Sequence, residues 1–176
     1  SFVEAIERRF GGSLFGRQEL EGELVEEPFG SLWRRAWIDD ARITKSPELS
    51  RIVVALDPPV TSNPNSDSCG IIVAGLGPDR RAYVIADRTI KGRIPHDWAR
   101  AAIAAYRDYN ADRIVAEVNQ GGDLVVSVLQ QVDPNVPIKK VFASRGKWAR
   151  AEPVAALYAE GRVIHAGEHT LLEAQM

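Results

Sequence analysis

Cysteine is nearly missing from this sequence, since Cys69 is the only one among 176 residues. A single cysteine excludes an internal disulfide framework and cannot build a zinc site from cysteine ligands. Stability must therefore come from an apolar core. A chain of this length can bury one good core, with an appendage beside it.

Long apolar runs and an excess of one charge are also absent. No apolar run approaches the roughly 18 residues of a membrane span, and the N-terminus carries no signal-peptide pattern, so we expect no membrane contact. The formal net charge is −2, which excludes a general basic field around the protein. If nucleic acid is the partner, a local basic patch must bind it.

Residues 1–48 differ from the rest of the chain, because they contain too few apolar side chains for a core of their own. We predict that they form a linker or helical extension and that residues 49–176 form the main domain. Part of the extension has apolar residues at helical spacing, which predicts a helix that docks on another surface. These residues are Leu32, Trp33, Trp37 and Ile38.

The main domain is predicted to be α/β, with the element order β-β-β-α-β-α-β-α. The strands "RIVVALD", "CGIIVAGL" and "RAYVIADRTI" are joined by links too short for a helix, which favours an antiparallel meander. Helices and the strands "RIVAE" and "IKKVFAS" then alternate, and the apolar spacing of the second helix places Leu124, Val128 and Val132 in the core. This order is typical of a ribonuclease H-like mixed sheet with helices on both faces. A three-layer sheet of another topology stays open.

Two carboxylates end strands of this predicted sheet. Asp57 closes "RIVVALD" and Glu117 closes "RIVAE", and in the predicted fold these strands are parallel neighbours. Two carboxylates at such a short distance repel each other unless a cation lies between them. Hard divalent ions prefer such oxygen ligands, and the edge of a sheet holds a ligand rigidly. We therefore predict a metal site at Asp57 and Glu117, with Asp67 in the following loop as a further candidate ligand. The alternative is a pair of salt-bridged or capping acids.

A local basic cluster follows the fifth strand. Arg145, Lys147 and Arg150 lie in "SRGKWARAEP" and suit contacts with phosphate, although a solvated helix start would also explain them. The turn "NQGG" after Glu117 allows a backbone to approach closely before a helix N-terminus. Together with the acids, this cluster predicts a site for phosphodiester chemistry.

Three blocks of the sequence resemble the nuclease domain of the large terminase subunit of tailed bacteriophages and prophages. They are "VALDPPVTSNPNSDSCGIIVAG", "ADRIVAEVNQGGD" and "ASRGKWARAEPVAALYAEGRV". The resemblance implies a two-metal endonuclease that uses Mg²⁺ or Mn²⁺ and cuts double-stranded concatemeric DNA when packaging starts and ends. Asp57 matches the first acid of that family and Glu117 the second.

The resemblance also implies a larger assembly. It implies that residues 1–48 link this domain to a packaging ATPase domain that is not part of this sequence. It also implies the small terminase subunit and the portal as partners of the full-length protein, in the cytoplasm of the bacterial host. No Walker A pattern occurs here, so we expect no translocation ATPase activity from this chain. The third acid of the family is expected on a segment beyond Met176, so we expect weak metal binding and slow or no cutting.

Two other functions remain open at this stage. The first is a non-catalytic docking or DNA-binding module of the packaging motor, for which Trp33, Trp37 and the acidic segment 19–27 would provide the surface. The second is an actin-like phosphotransferase, in which the loop after the first strand would hold ATP phosphates. Pro58 and Pro59 argue against it, because they remove backbone donors that phosphate needs.

Overall fold

The computed structural model describes residues 32–59, 68–91, 94–118 and 122–176. Asp67 and the acidic segment 19–27 lie outside these residues. The described part contains six strands, β1 Arg51–Asp57, β2 Gly70–Leu76, β3 Ala82–Asp87, β4 Arg113–Glu117, β5 Ile138–Val141 and β6 Val163–His165. Its helices are α1 Arg35–Ala41, α2 Pro95–Asp108, α3 Gly122–Val132, α4 Lys147–Ala159 and α5 Thr170–Glu173.

The six strands form one mixed sheet in the order β5-β4-β1-β2-β3-β6. β1, β2 and β3 are an antiparallel meander, whereas β4 and β5 extend the sheet in parallel from β1. β6 pairs in parallel with β3 at the other edge. The predicted meander and the parallel neighbours β1 and β4 are therefore confirmed.

Helices cover both faces of the sheet, as predicted. On the first face α2 and α3 pack on the central strands, and the core there includes Val54, Leu56 and Ile114. On the second face α1 and α4 pack near β3 and β6, around Val84 and Val163. Asp57 and Glu117 alternate with buried residues of the first face, so both acids belong to the second.

The predicted core stripe of α3 is partly wrong. Val128 is buried and Val132 packs against the core, but the side chain of Leu124 is 61% exposed. The helix instead turns Val125, Val128 and Leu129 inward, which have the i, i+3, i+4 spacing of one helical face. Leu124 lies beside that face in the first turn.

The predicted docking helix is α1, which begins at Arg35, so that Leu32 and Trp33 precede it. It docks on the main domain. Ile38 is buried in the core of the second face, and Trp33 and Trp37 pack against the same cluster. The boundary between residues 48 and 49 remains a prediction. None of the described helices has the length and apolar content that crossing a membrane would require.

Candidate metal centre

The strand register brings Asp57 and Glu117 to neighbouring positions. β1 and β4 pair in parallel with Leu56 opposite Ala116, so the next residue of each strand is an acid. Leu56 and Ala116 are both buried in the core, which anchors the strand ends on which the acids stand. The two carboxylates therefore share one edge of the sheet because apolar burial holds the residues before them.

The environment of Asp57 disfavours its ionised form. Partial burial raises the pKa of this carboxyl group, and the negative charge of Glu117 raises it further. Lys147 and Arg150 act in the opposite direction, because their positive charges lower it. The two acids thus interact electrostatically, and a cation placed between them would relieve their repulsion.

Helix α4 supplies the cations that face this edge. It starts at Lys147, and one turn later the Nη1 atom of Arg150 donates a hydrogen bond of 2.7 Å to Oε2 of Glu117. Arg145 is exposed and lies two residues before the helix. Of the predicted basic cluster, Lys147 and Arg150 therefore interact electrostatically with the acids, and Arg150 is hydrogen-bonded to Glu117. The sequence offers no local signal for this pairing, because Glu117 and Arg150 are 33 residues apart.

The pair has the right donor chemistry for a hard divalent ion. Carboxylate oxygens are the ligands that Mg²⁺ prefers, and one or two protein carboxylates are typical of its sites. The pKa of Asp57 is raised beside Glu117, so a bound cation would stabilise the ionised forms of both carboxyl groups. Within the described ranges, no three His, Cys, Asp or Glu side chains are grouped so that they could hold a metal ion. Asp57 and Glu117 thus fit as two protein ligands of such an ion.

A second polar cluster, which sequence reasoning missed, lies near β6. Nδ1 of His165 is 2.7 Å from Oε1 of Glu173, and Nε2 of the same ring is 2.8 Å from the hydroxyl of Tyr158. Arg42 donates to both oxygens of Glu173, at 2.7 and 3.0 Å, and the backbone N–H of His169 donates to Oε1. The carboxylate accepts from the Nδ1–H of His165, which leaves Nε2 to accept from Tyr158. We call these five residues the His165 cluster.

The His165 cluster is a buried structural network, separate from the acid pair. Three strands lie between β6 and β4 in the sheet, and the side chain of Glu173 is 1% exposed. Burial by itself would raise the pKa of Glu173, but hydrogen bonds from Arg42, His165 and the His169 backbone outweigh it and lower the pKa to about 2. Burial lowers the pKa of His165, and Glu173 offsets only part of that effect. Both ring nitrogens of His165 and Nε2 of His169 therefore have hydrogen-bond partners within the domain.

Comparison with protein families gives one match of broad extent. Residues 54–174 match the model of the terminase RNaseH-like domain. This range contains both acids and the basic cluster. No curated protein matched the chain.

Comparison with solved structures gives several distant likenesses. The large terminase nuclease from the thermophilic phage G20c has 16% sequence identity and a TM-score of 0.54, and the match covers 74% of this chain and 65% of that one. A mutant nuclease domain of the large terminase subunit of bacterial virus Sf6, solved with manganese and beta-thujaplicinol, has 15% identity, coverages of 64% and 47% and a TM-score of 0.46. RuvC of T. thermophilus in complex with a Holliday junction substrate has 16% identity, coverages of 63% and 78% and a TM-score of 0.42.

These likenesses bear on the fold. The match to the phage G20c nuclease, together with the family match, confirms the predicted ribonuclease H-like sheet. The chain spans 65% of the length of that nuclease, so the alignment leaves about a third of it without a counterpart.

Proposed function

Since the chain belongs to the terminase RNase H-like domain family, which residues 54–174 match, we propose that it is the metal-dependent endonuclease domain of a viral DNA-packaging terminase. Its substrate would be double-stranded concatemeric DNA, cut when packaging starts and when it ends. The observation that carries this proposal is the acid pair, Asp57 and Glu117, at one sheet edge beside Lys147 and Arg150.

The acid pair would hold the metal. Asp57 and Glu117 would hold the ions of a two-metal site, with Asp67 as a candidate for further support. Bound Mg²⁺ or Mn²⁺ would supply an activated water and stabilise the leaving 3′-oxygen of phosphodiester hydrolysis. The rigid ends of β1 and β4 keep the two carboxylates in place, because the residues before them are buried.

The cations at the start of α4 would position the DNA backbone. Lys147 acts on the acid edge from the first turn of α4, and the exposed Arg145 lies just before it. Contacts of this type bind phosphate and fix the register of the duplex, but they do not distinguish base sequences. We therefore propose cutting with little sequence preference. In a chain of net charge −2, such binding depends on this local cluster.

The wider assembly is proposed from the family alone. The small terminase subunit and the portal would be partners of the full-length protein, in the cytoplasm of the bacterial host. The docking function considered from the sequence loses part of its support, because Trp33 and Trp37 pack against the second-face core of this same domain. A partner would therefore not find these two side chains freely available.

Plasmid cleavage tests the proposal. We expect the chain to nick supercoiled plasmid slowly in Mn²⁺ or Mg²⁺, and not in EDTA, because the acid pair supplies only part of the site. Asp57→Ala should abolish the metal-dependent nicking, since it removes one of the two proposed ligands. Glu160→Ala is the matched control, because this exposed acid lies at the far end of α4. Nicking by Asp57→Ala at the wild-type rate would contradict the assignment.

A further inference from the structure

The contact between Glu117 and Arg150 gives one carboxylate two competing roles. In the proposed function Glu117 is a metal ligand, yet here its Oε2 accepts a charge-assisted hydrogen bond of 2.7 Å from Arg150. The side chains are 22% and 37% exposed, so water screens this ion pair less than it screens a fully exposed one. A divalent ion at Glu117 would come close to the guanidinium and repel it.

One hydrogen-bond donor of Arg150 has no acceptor in this position within the described part of the chain. Its Nε atom is buried and has no hydrogen-bond partner among the described residues. A buried donor without an acceptor costs free energy, so this position of the arginine is not a fully stabilised one. A partner that also accepts a hydrogen bond from Nε would therefore stabilise Arg150 better than Glu117 alone does.

The alternative partner for Arg150 is a DNA phosphate. Arg150 follows Lys147 by three residues on α4, so both side chains lie on one side of the helix, and both act on Asp57. The planar guanidinium can donate two parallel hydrogen bonds to the oxygens of one phosphate. The hydrogen bond from Nη1 to Glu117 uses only one of these donors.

We propose that Arg150 is the internal counter-cation of the metal centre. This inference rests on the proposed function. Without metal, Arg150 neutralises Glu117 and lessens its repulsion with Asp57. With Glu117 engaged as a ligand of a divalent ion, Arg150 would be released to pair with a phosphate of the bound DNA.

The exchange couples the binding of metal and DNA. Metal frees one cation for the phosphate backbone, so metal strengthens DNA binding. By linkage, DNA that attracts Arg150 away from Glu117 strengthens metal binding by the same factor. The centre would thus assemble fully only when both metal and DNA are present.

Titration calorimetry with Mn²⁺ tests the competition without using activity. We expect Arg150→Ala to bind Mn²⁺ roughly tenfold more tightly than wild type, because a charge-assisted competitor has been removed from a partly screened site. Lys147→Ala removes the same charge near Asp57 and should give a smaller gain. Arg162→Ala, beyond the far end of α4, should change nothing. The melting temperature of each variant in EDTA confirms that it is folded.

The outcomes separate this inference from the proposed function. Equal gains from Arg150→Ala and Lys147→Ala would show a general charge effect and would overturn the counter-cation role. Weaker Mn²⁺ binding by Arg150→Ala would show that Arg150 only orients Glu117, and would also overturn it. In both cases the proposed metal site stands. If neither wild type nor Arg150→Ala binds Mn²⁺, both proposals fail.

DNA binding at varied salt tests the other half of the exchange. The affinity for a short duplex is measured against salt concentration, with and without Ca²⁺, which fits oxygen ligands but lacks the strict octahedral geometry of Mg²⁺. In wild type, Ca²⁺ should steepen the log–log salt slope by about 0.9, the effect of one added phosphate contact. In Arg150→Ala the slope should be the same with and without Ca²⁺. A slope that steepens equally in both proteins would overturn the transfer of Arg150 to phosphate.

Discussion

Two glutamates of this domain differ in role because of their surroundings. Glu117 ends β4 at a partly exposed edge, where it interacts with Asp57 and Arg150. Glu173 is buried and accepts hydrogen bonds from Arg42, His165 and the backbone of His169. Its oxygens already accept hydrogen bonds within the domain near β6, which three strands separate from β4 in the sheet. Glu173 is therefore a structural residue and not a third ligand of the acid pair.

The pH dependence of stability should report on Glu173. Its folded pKa of about 2 lies below the ordinary value of 4.5, so it stabilises the fold fully above pH 4.5 and loses this effect as pH falls toward 2. The lowered pKa of His165 acts in the same direction. Below pH 6.5 the unfolded chain takes up a proton at this residue more readily than the folded domain does, so the stability of the fold declines. Wild type should thus lose stability in two stages, first below pH 6.5 and then below pH 4.5.

The variant Glu173→Gln tests this prediction. At neutral pH it should lower the free energy of unfolding by roughly 3 kcal/mol, because Arg42 loses its buried partner. The difference from wild type should shrink as pH falls below 4.5. Urea unfolding over a pH series measures it, with the exposed neighbour Glu168→Gln as a control. An equal loss at pH 7 and pH 3 would contradict the assigned role of ionised Glu173.

Among the elements, β3 contains a β-bulge that lets it contribute side chains to both cores. Opposite β2, Val73 pairs with Ala86 and Ala74 pairs with Val84, so β3 has one extra residue, Ile85. This bulge lets Ala86 face the first core while Val84 faces the second, although regular alternation would put both on one face. The bulge is therefore what allows β3 to contribute to both layers.

Strand β2 depends on a close approach at Gly75. A Cβ atom built there would lie 2.6 Å from Cδ1 of Leu49 and 2.7 Å from the backbone oxygen of Arg51. Both distances are far below van der Waals contact, and the backbone oxygen cannot move without disturbing β1. We expect Gly75→Ala to destabilise the domain by about 1–3 kcal/mol.

Gly70→Ala is the matched control for Gly75→Ala in the same strand. A Cβ atom at residue 70 would meet its nearest neighbour, Cβ of Asp57, at 3.6 Å, which is an ordinary contact. Thermal unfolding should give a melting temperature for Gly75→Ala that is lower by several degrees, since about 1 kcal/mol corresponds to about 2–4 °C in a domain of this size. Equal melting temperatures for the two variants would show that Leu49 and β1 adjust freely.

The described part of the domain has two apolar cores, and we expect these rather than the proposed metal centre to stabilise the fold. The larger core lies between α2, α3 and the central strands, and the smaller one lies beneath α1 and α4. The acid pair is at the edge of the sheet and takes no part in either core. Metal binding should therefore follow folding instead of driving it, unlike the behaviour of small zinc domains.

Removal of metal tests this view of the whole molecule. In EDTA the chain should stay folded and unfold cooperatively, as followed by far-ultraviolet circular dichroism. Mn²⁺ at about ten times its dissociation constant should raise the melting temperature by only about 3–6 °C. Asp57→Ala should show no such rise, since it lacks one of the two proposed ligands. A chain that unfolds in EDTA would contradict the prediction.

The element order and the acid pair could be predicted from the sequence, because both depend on local patterns. Alternating and continuous apolar runs define the strands and helices, and links without room for a helix imply an antiparallel meander. Asp57 and Glu117 each follow a short apolar run directly, so their places at strand ends are visible in the chain. Once two such strands are parallel neighbours, the acids must meet.

Other features depended on contacts between residues far apart in the chain. The pairing of Arg150 with Glu117, the His165 cluster and the bulge at Ile85 all require the packed sheet and its helices. The exposure of Leu124 likewise depends on how α3 rotates against the core, because Val125 and Leu124 are equally apolar in sequence. Local patterns thus determine which segments form elements and where their polar ends lie. Only the tertiary structure determines which partner each charged side chain contacts, because the contact depends on the register of the strands and the rotation of the helices packed on them.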